Sequence, residues 1–76
     1  MYLNEAELNK FYLIEDVLIE DKKLQIRLMQ LGIFPSNKIS LIRFSPGKKT
    51  VLVNIFNTVF ALKVQIASQI MISKNI

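Results

Sequence analysis

Apolar residues recur with two different periods along this chain, and the switches between them divide it into short elements. Asn4 and Glu7 have capping-box spacing, which predicts a helical turn over residues 4–8. Residues 11–19 are rich in aromatic and branched side chains and read as a strand. The adjacent Glu15 and Asp16 break its alternation, which predicts a bulge or an exposed edge. Asp21 then caps a helix running to about Leu31. Leu24, Leu28 and Leu31 share one helix face and form the expected buried stripe, while Ile26 and Met29 fall on the opposite side. Gly32 ends the helix, and Pro35 suits a short connector rather than a strand interior.

Period-two patterning resumes after the proline. Residues 38–44 form a second strand, Ser45-Pro46-Gly47-Lys48 a turn, and residues 49–56 a third strand. Asn57-Thr58 is the expected two-residue hairpin turn. Residues 59–63 return as a fourth strand, residues 64–68 make one helical turn, and residues 69–72 close as a fifth strand. Several short strands joined by short turns argue for a mostly β fold, a small barrel whose closure removes exposed edges.

Length and composition fit one domain over residues 1–76, near the lower limit for folding without a staple. No run reaches the roughly 18 apolar residues of a membrane span. The acidic start Met1-Tyr2-Leu3-Asn4-Glu5 lacks the pattern of a secretory signal, so the expected location is cytoplasmic. Charge is divided sharply. All six acids, Glu5, Glu7, Glu15, Asp16, Glu20 and Asp21, precede Lys22, with Lys10 the one base among them. Nine bases and no acid follow. Either the basic part meets an anionic partner, or the acidic segment folds back and cancels its field.

Catalytic chemistry is scarce. With no His and no Cys, the usual neutral-pH acid–base groups and thiol nucleophiles are missing. Both glycines, Gly32 and Gly47, belong to turns rather than to a phosphate loop. The chain therefore reads as a non-enzyme with no cofactor. Divalent transition metals favour imidazole, thiolate and carboxylate ligands. The available carboxylates, Glu15-Asp16 and Glu20-Asp21, are adjacent pairs that point to opposite faces of an extended strand. No metal-ligand set is assigned.

The order Arg27-Leu28-Met29-Gln30-Leu31-Gly32-Ile33-Phe34-Pro35, followed later by Phe60-Ala61-Leu62-Lys63 and Ala67-Ser68-Gln69-Ile70-Met71-Ile72, resembles the ferrous iron transport protein A (FeoA) family. The similarity runs from about Leu8 to Ile72. Two positions depart from the family pattern: its glycine after the proline is Ser36 here, and its hairpin glycine is Asn57. The resemblance implies an SH3-like small barrel of about five strands, with a helix inserted between the first two. It also implies an accessory of ferrous iron uptake that docks on the cytosolic side of FeoB, a membrane ferrous transporter with a GTP-binding domain. Contact with the membrane would then be peripheral, through that partner.

The residues offer a matching surface. Ile26, Met29, Ile33, Phe34 and Pro35 are the expected partner-binding set, because interface cores favour aromatics and Met over charge. The competing reading has Ile26 and Met29 covered by the N-terminal turn around Tyr2, Leu3 and Leu8, with Phe34 capping the barrel end. Self-association through the same apolar residues is a further option. Two other functions compete. One is nucleic-acid binding, using Lys38, Arg43, Lys48, Lys49 and Lys63 with Tyr12, Phe44 and Phe56 as stacking platforms. The other is a regulatory domain acting in trans within a repressor assembly. If the protein assists iron movement, it does so without holding the ion. Anaerobic titration calorimetry with ferrous ion is expected to show no stoichiometric micromolar binding; a saturable one-to-one isotherm would contradict that reading.

Overall fold

The computed structural model of the protein describes residues 1–74. Five strands, β1 (Phe11–Val17), β2 (Lys38–Phe44), β3 (Thr50–Ile55), β4 (Thr58–Lys63) and β5 (Ile70–Ser73), form one antiparallel sheet in the order β4-β3-β2-β1-β5. Helix α1 (Lys22–Gln30) lies in the chain between β1 and β2, and the short α2 (Val64–Ala67) between β4 and β5. Alternation places Val51, Val53 and Ile55 of β3 in the core, with Tyr12 and Ile14 of β1 and Ile70 and Ile72 of β5. No helix among the described residues is long and apolar enough to cross a membrane.

The bulge expected at the acid pair is present. Ile14 pairs with Ile72 and Asp16 with Met71, leaving Glu15 as the extra residue. A second register shift falls between Leu41 and Arg43 on β2. Both increase the local twist. The sheet nevertheless does not close into the expected barrel, because β4 and β5 are its two unpaired ends. The outer edge of β5 bonds the N-terminal residues instead of β4: Ile72 N–H donates to the Met1 carbonyl, and Tyr2 bridges to Met71. Leu3 and Ala6 from the N-terminal segment and Ala67 from α2 are buried in the same core as the strands.

Three local expectations shift in position. The N-terminal turn is a 3-10 turn over Leu3–Glu5, earlier than predicted. Its reciprocal cap is made by Glu5, whose Oε1 accepts from the Tyr2 N–H at 2.8 Å, and not by Glu7. The β3–β4 turn is Phe56-Asn57 and not Asn57-Thr58, since Ile55 pairs with Thr58. Both turn residues have positive φ, 52° and 60°, as the twist of a two-residue hairpin requires. Asn accepts that conformation readily, and Phe56 accepts it at a cost of about 1–2 kcal/mol. β1 stops at Val17, two residues short of the prediction, where the chain turns toward α1.

Helix α1 begins and ends as its sequence dictates. The Asp21 carboxylate accepts from the N–H groups of Lys23 (3.0 Å) and Leu24 (3.3 Å). At the far end, Gly32 N–H donates to the Met29 carbonyl (3.0 Å) and Ile33 N–H to the Leu28 carbonyl (2.9 Å). This is a Schellman termination, with buried Leu28 and Ile33 making its apolar contact. Gly32 has φ +101°, and a Cβ there would lie 2.7 Å from the Ile55 Cγ2 and 3.3 Å from the Phe56 ring. Two constraints thus coincide at Gly32: backbone handedness and the close approach of the β3–β4 hairpin. Gly32→Ala is expected to lower the unfolding free energy by about 2–3 kcal/mol in urea titration. A loss within error of zero would show that neither constraint holds.

Candidate functional site

The segment after Gly32 is a tight turn whose backbone is tied down on both sides. Asn37 N–H donates to the Phe34 carbonyl at 3.2 Å, enclosing Pro35 and Ser36. Pro35 in the second position and a φ of +80° at Ser36 in the third are features of a type II turn. That geometry explains why the family pattern carries glycine where this chain has Ser36. Ser36 N–H donates to the Ile14 carbonyl (2.8 Å), and Ile14 N–H donates back to the Asn37 carbonyl (2.8 Å), so the turn is stitched to β1. The Asn37 side-chain amide donates to the Gly32 carbonyl at 2.6 Å, closing the loop on the helix end.

Phe34 is therefore presented from a fixed frame. Met29, Ile33, Phe34 and Pro35 line one groove of about 310 Å³, together with Asp16, Val17 and Gln25. Four of the five residues expected from the sequence meet there. Ile26 does not line the groove; it is 54% exposed and lies one turn earlier on α1 than Met29, which is 55% exposed. Ile33 is 2% exposed, so it serves mainly the core and contributes one wall of the groove. Phe34 is half-buried and is not among the side chains packed against the core cluster.

The N-terminal segment does not cover α1. Tyr2 bridges to Met71, Leu3 enters the core, and Leu8 is itself exposed. Ile26 and Met29 are left uncovered by it.

Asp16, Val17 and Gln25 were not legible as groove residues. Their signal was indirect: the bulge at Glu15 sets the direction of the residues that follow, where Asp16 Oδ1 accepts from Val17 N–H at 2.8 Å. The Gln25 side-chain amide donates to the Ile19 carbonyl, pinning α1 to the connector that leads into it.

Electrostatics leave the basic part of the chain unmatched. The one ion pair among the described residues is Glu7–Lys10, 2.5 Å apart and exposed. Its hydrogen bond from Lys10 lowers the Glu7 carboxyl below its ordinary range, and the carboxylate in turn raises the Lys10 ammonium. The acidic segment thus does not neutralise the basic strands by direct pairing. No group of three or more His, Cys, Asp or Glu side chains comes together among the described residues. A nucleic-acid stacking platform also fails to assemble. Tyr12 is buried, its hydroxyl accepting from Glu7 N–H at 3.0 Å, and Phe44 is half-buried against the core. Phe56 alone of the three is exposed, at 71%.

Comparison with known proteins places this geometry. The FeoA domain model matches residues 1–74. No curated protein matches the chain. Among solved structures, the FeoA protein of Chlorobium tepidum is similar at a TM-score of 0.89 and 24% identity, covering 100% of this chain and 71% of that one. FeoA of Stenotrophomonas maltophilia, complexed with zinc and described as a prokaryotic SH3 domain protein, gives 0.80 and 26%, covering 96% and 89%. The manganese regulator SloR gives 0.79 and 17%, covering 99% of this chain but 34% of that one. The fold is thus SH3-like, and it also occurs as part of a longer regulator.

Relieving the strained turn position should stabilise the frame around the groove. Ser36→Gly is expected to raise the unfolding free energy by about 1 kcal/mol, because only glycine takes this φ without penalty. Denaturant midpoints check this, and a decrease would show that the Ser36 side chain contributes a contact outweighing its backbone strain.

Proposed function

The chain belongs to the FeoA domain family, which is associated with ferrous iron transport, and from that premise we propose that it is a non-catalytic cytoplasmic accessory of iron uptake. It docks on the cytosolic side of a FeoB-like transporter and alters the assembly or nucleotide turnover of that partner. The S. maltophilia relative is described as a candidate activating factor of ferrous iron transport.

The observation that carries the reading is the uncovered apolar groove at Met29, Phe34 and Pro35, held by a helix end and a turn that are both hydrogen-bonded in place. A rigid groove loses little entropy on binding, and a few apolar anchors supply most of an interface's energy. Ile26 extends the apolar surface beyond the groove. Lys22, Lys23 and Arg27 are exposed on the same helix and would speed encounter with an acidic partner surface or the anionic inner leaflet, more than they would tighten the complex. The iron ion is cargo of the partner and is not held by this chain.

The test is affinity capture of the tagged protein from solubilised cells, followed by mass spectrometry. Recovery of a large membrane GTPase is expected, and Met29→Asp and Phe34→Asp should each weaken it by about 2 kcal/mol or more while remaining folded. Undiminished recovery by both folded variants would reject the groove. Recovery of nucleic acid released by salt would reject the transporter reading altogether.

A further inference from the structure

The two edges of the sheet are treated differently. The β5 edge is covered by the chain's own N-terminal residues. Ile72 N–H donates to the Met1 carbonyl (2.8 Å), the Met1 amine donates to the Ile72 carbonyl (3.3 Å), and Tyr2 bridges to Met71. The opposite edge, β4, has no such cover, and it lacks the features that usually blunt an open edge. It pairs with β3 through six consecutive register positions without a bulge, contains no proline, and carries one charge, Lys63 at its end.

The register shows which backbone groups are free. Ile55 and Thr58 close the hairpin as a hydrogen-bonded pair, so Phe60 and Leu62 also bond to β3. Val64 N–H, bonded to the Lys49 carbonyl at 3.0 Å, continues the same phase. The N–H and C=O groups of Val59, Ala61 and Lys63 therefore point away from the sheet. Beside the C-terminal half of this edge runs a crevice of about 440 Å³, lined by Leu24 and Leu28 of α1, by Leu31 at the helix C-cap, and by Ala61 and Lys63 of β4. Arg27 also lines it, and neither Arg27 nor Lys63 has a salt-bridge partner among the described residues.

We propose that the β4 edge and the α1 crevice form a second docking site, which takes an extended, acidic and apolar peptide segment as an added antiparallel strand. The backbone of the segment bonds to Val59, Ala61 and Lys63. Alternate side chains enter the leucine-lined crevice, and a carboxylate meets Arg27 and Lys63. Charge selects this occupant: Arg27 and Lys63 line the crevice without a salt-bridge partner among the described residues, and the β4 strand of a second copy, Thr58–Lys63, would bring them no carboxylate. The site is separate from the Met29–Phe34 groove and stands or falls independently of the transporter reading.

The probe is a short synthetic peptide of alternating valine and glutamate, with the valine–lysine peptide as control, added to the isotope-labelled full chain. Slowed amide exchange at Val59, Ala61 and Lys63 with the acidic peptide alone is expected. Ala61→Pro removes an outward N–H and spares the β3 ladder, and should weaken binding about tenfold through the lost hydrogen bond. Lys63→Glu should weaken it several-fold without touching the backbone. The proposal is overturned by the absence of protection at these three amides, by equal binding of the lysine peptide, or by full affinity in Lys63→Glu. Protection that appears without peptide and grows with protein concentration would assign the edge to a second copy and overturn it as well.

Discussion

Gly32 is the point on which the arrangement depends. It ends α1 in a left-handed conformation, it is approached by the β3–β4 hairpin too closely to admit a Cβ, and its carbonyl receives the Asn37 amide. Each contact fixes a different element relative to the same residue. The helix end, the hairpin tip and the Phe34–Asn37 turn are therefore positioned together, and the groove between α1 and the turn inherits that rigidity. The hairpin contributes through a strained residue, because Phe56 sits at positive φ with its ring against Gly32. Strain of this kind persists only where surrounding contacts over-determine it.

A second constraint is size. A 76-residue chain encloses few side chains, and this one spends its N-terminal residues on one open end of the core. Leu3 and Ala6 are buried and Met1 and Tyr2 cover the β5 edge, so none of them is left to cover α1. Among the exposed large apolar side chains, Ile26 and Met29 lie on the outer face of α1 and Val59 on β4.

Much of this was legible in the residues. The Asp21 cap, the Gly32 stop and the bulge at Glu15-Asp16 rest on short-range rules and appear where the pattern put them, whereas of the expected buried stripe only Leu28 is buried, with Leu24 and Leu31 half-buried along a surface crevice. The hairpin turn lies one residue earlier than the Asn57-Thr58 pattern predicts, because cross-strand register places Phe56 at its first position. Register depends on pairing between strands, which no local pattern encodes. The barrel failed to close for the same reason. Edge pairing of β4 with β5 depends on how far two bulges coil the sheet, and the sequence shows where bulges fall but not how much they bend. Likewise Met29, Ile33, Phe34 and Pro35 could be named from composition and spacing, but the opposite wall, Asp16, Val17 and Gln25, arises from β1 packing beside α1. Tyr12, a candidate platform only in the competing nucleic-acid reading, sits in the core because its hydroxyl is satisfied by Glu7 N–H.

The most direct test of the central claim, that the groove framed by Gly32 is the surface that meets the transporter, is a resonance map of the complex. The isotope-labelled chain is titrated with the soluble cytosolic portion of the proposed FeoB-like partner, and the backbone amide shifts are followed residue by residue. The account predicts that the largest changes fall on Met29, Ile33, Phe34 and the adjoining Ile26. Changes confined to other surfaces, with those four amides unmoved at saturation, would contradict it.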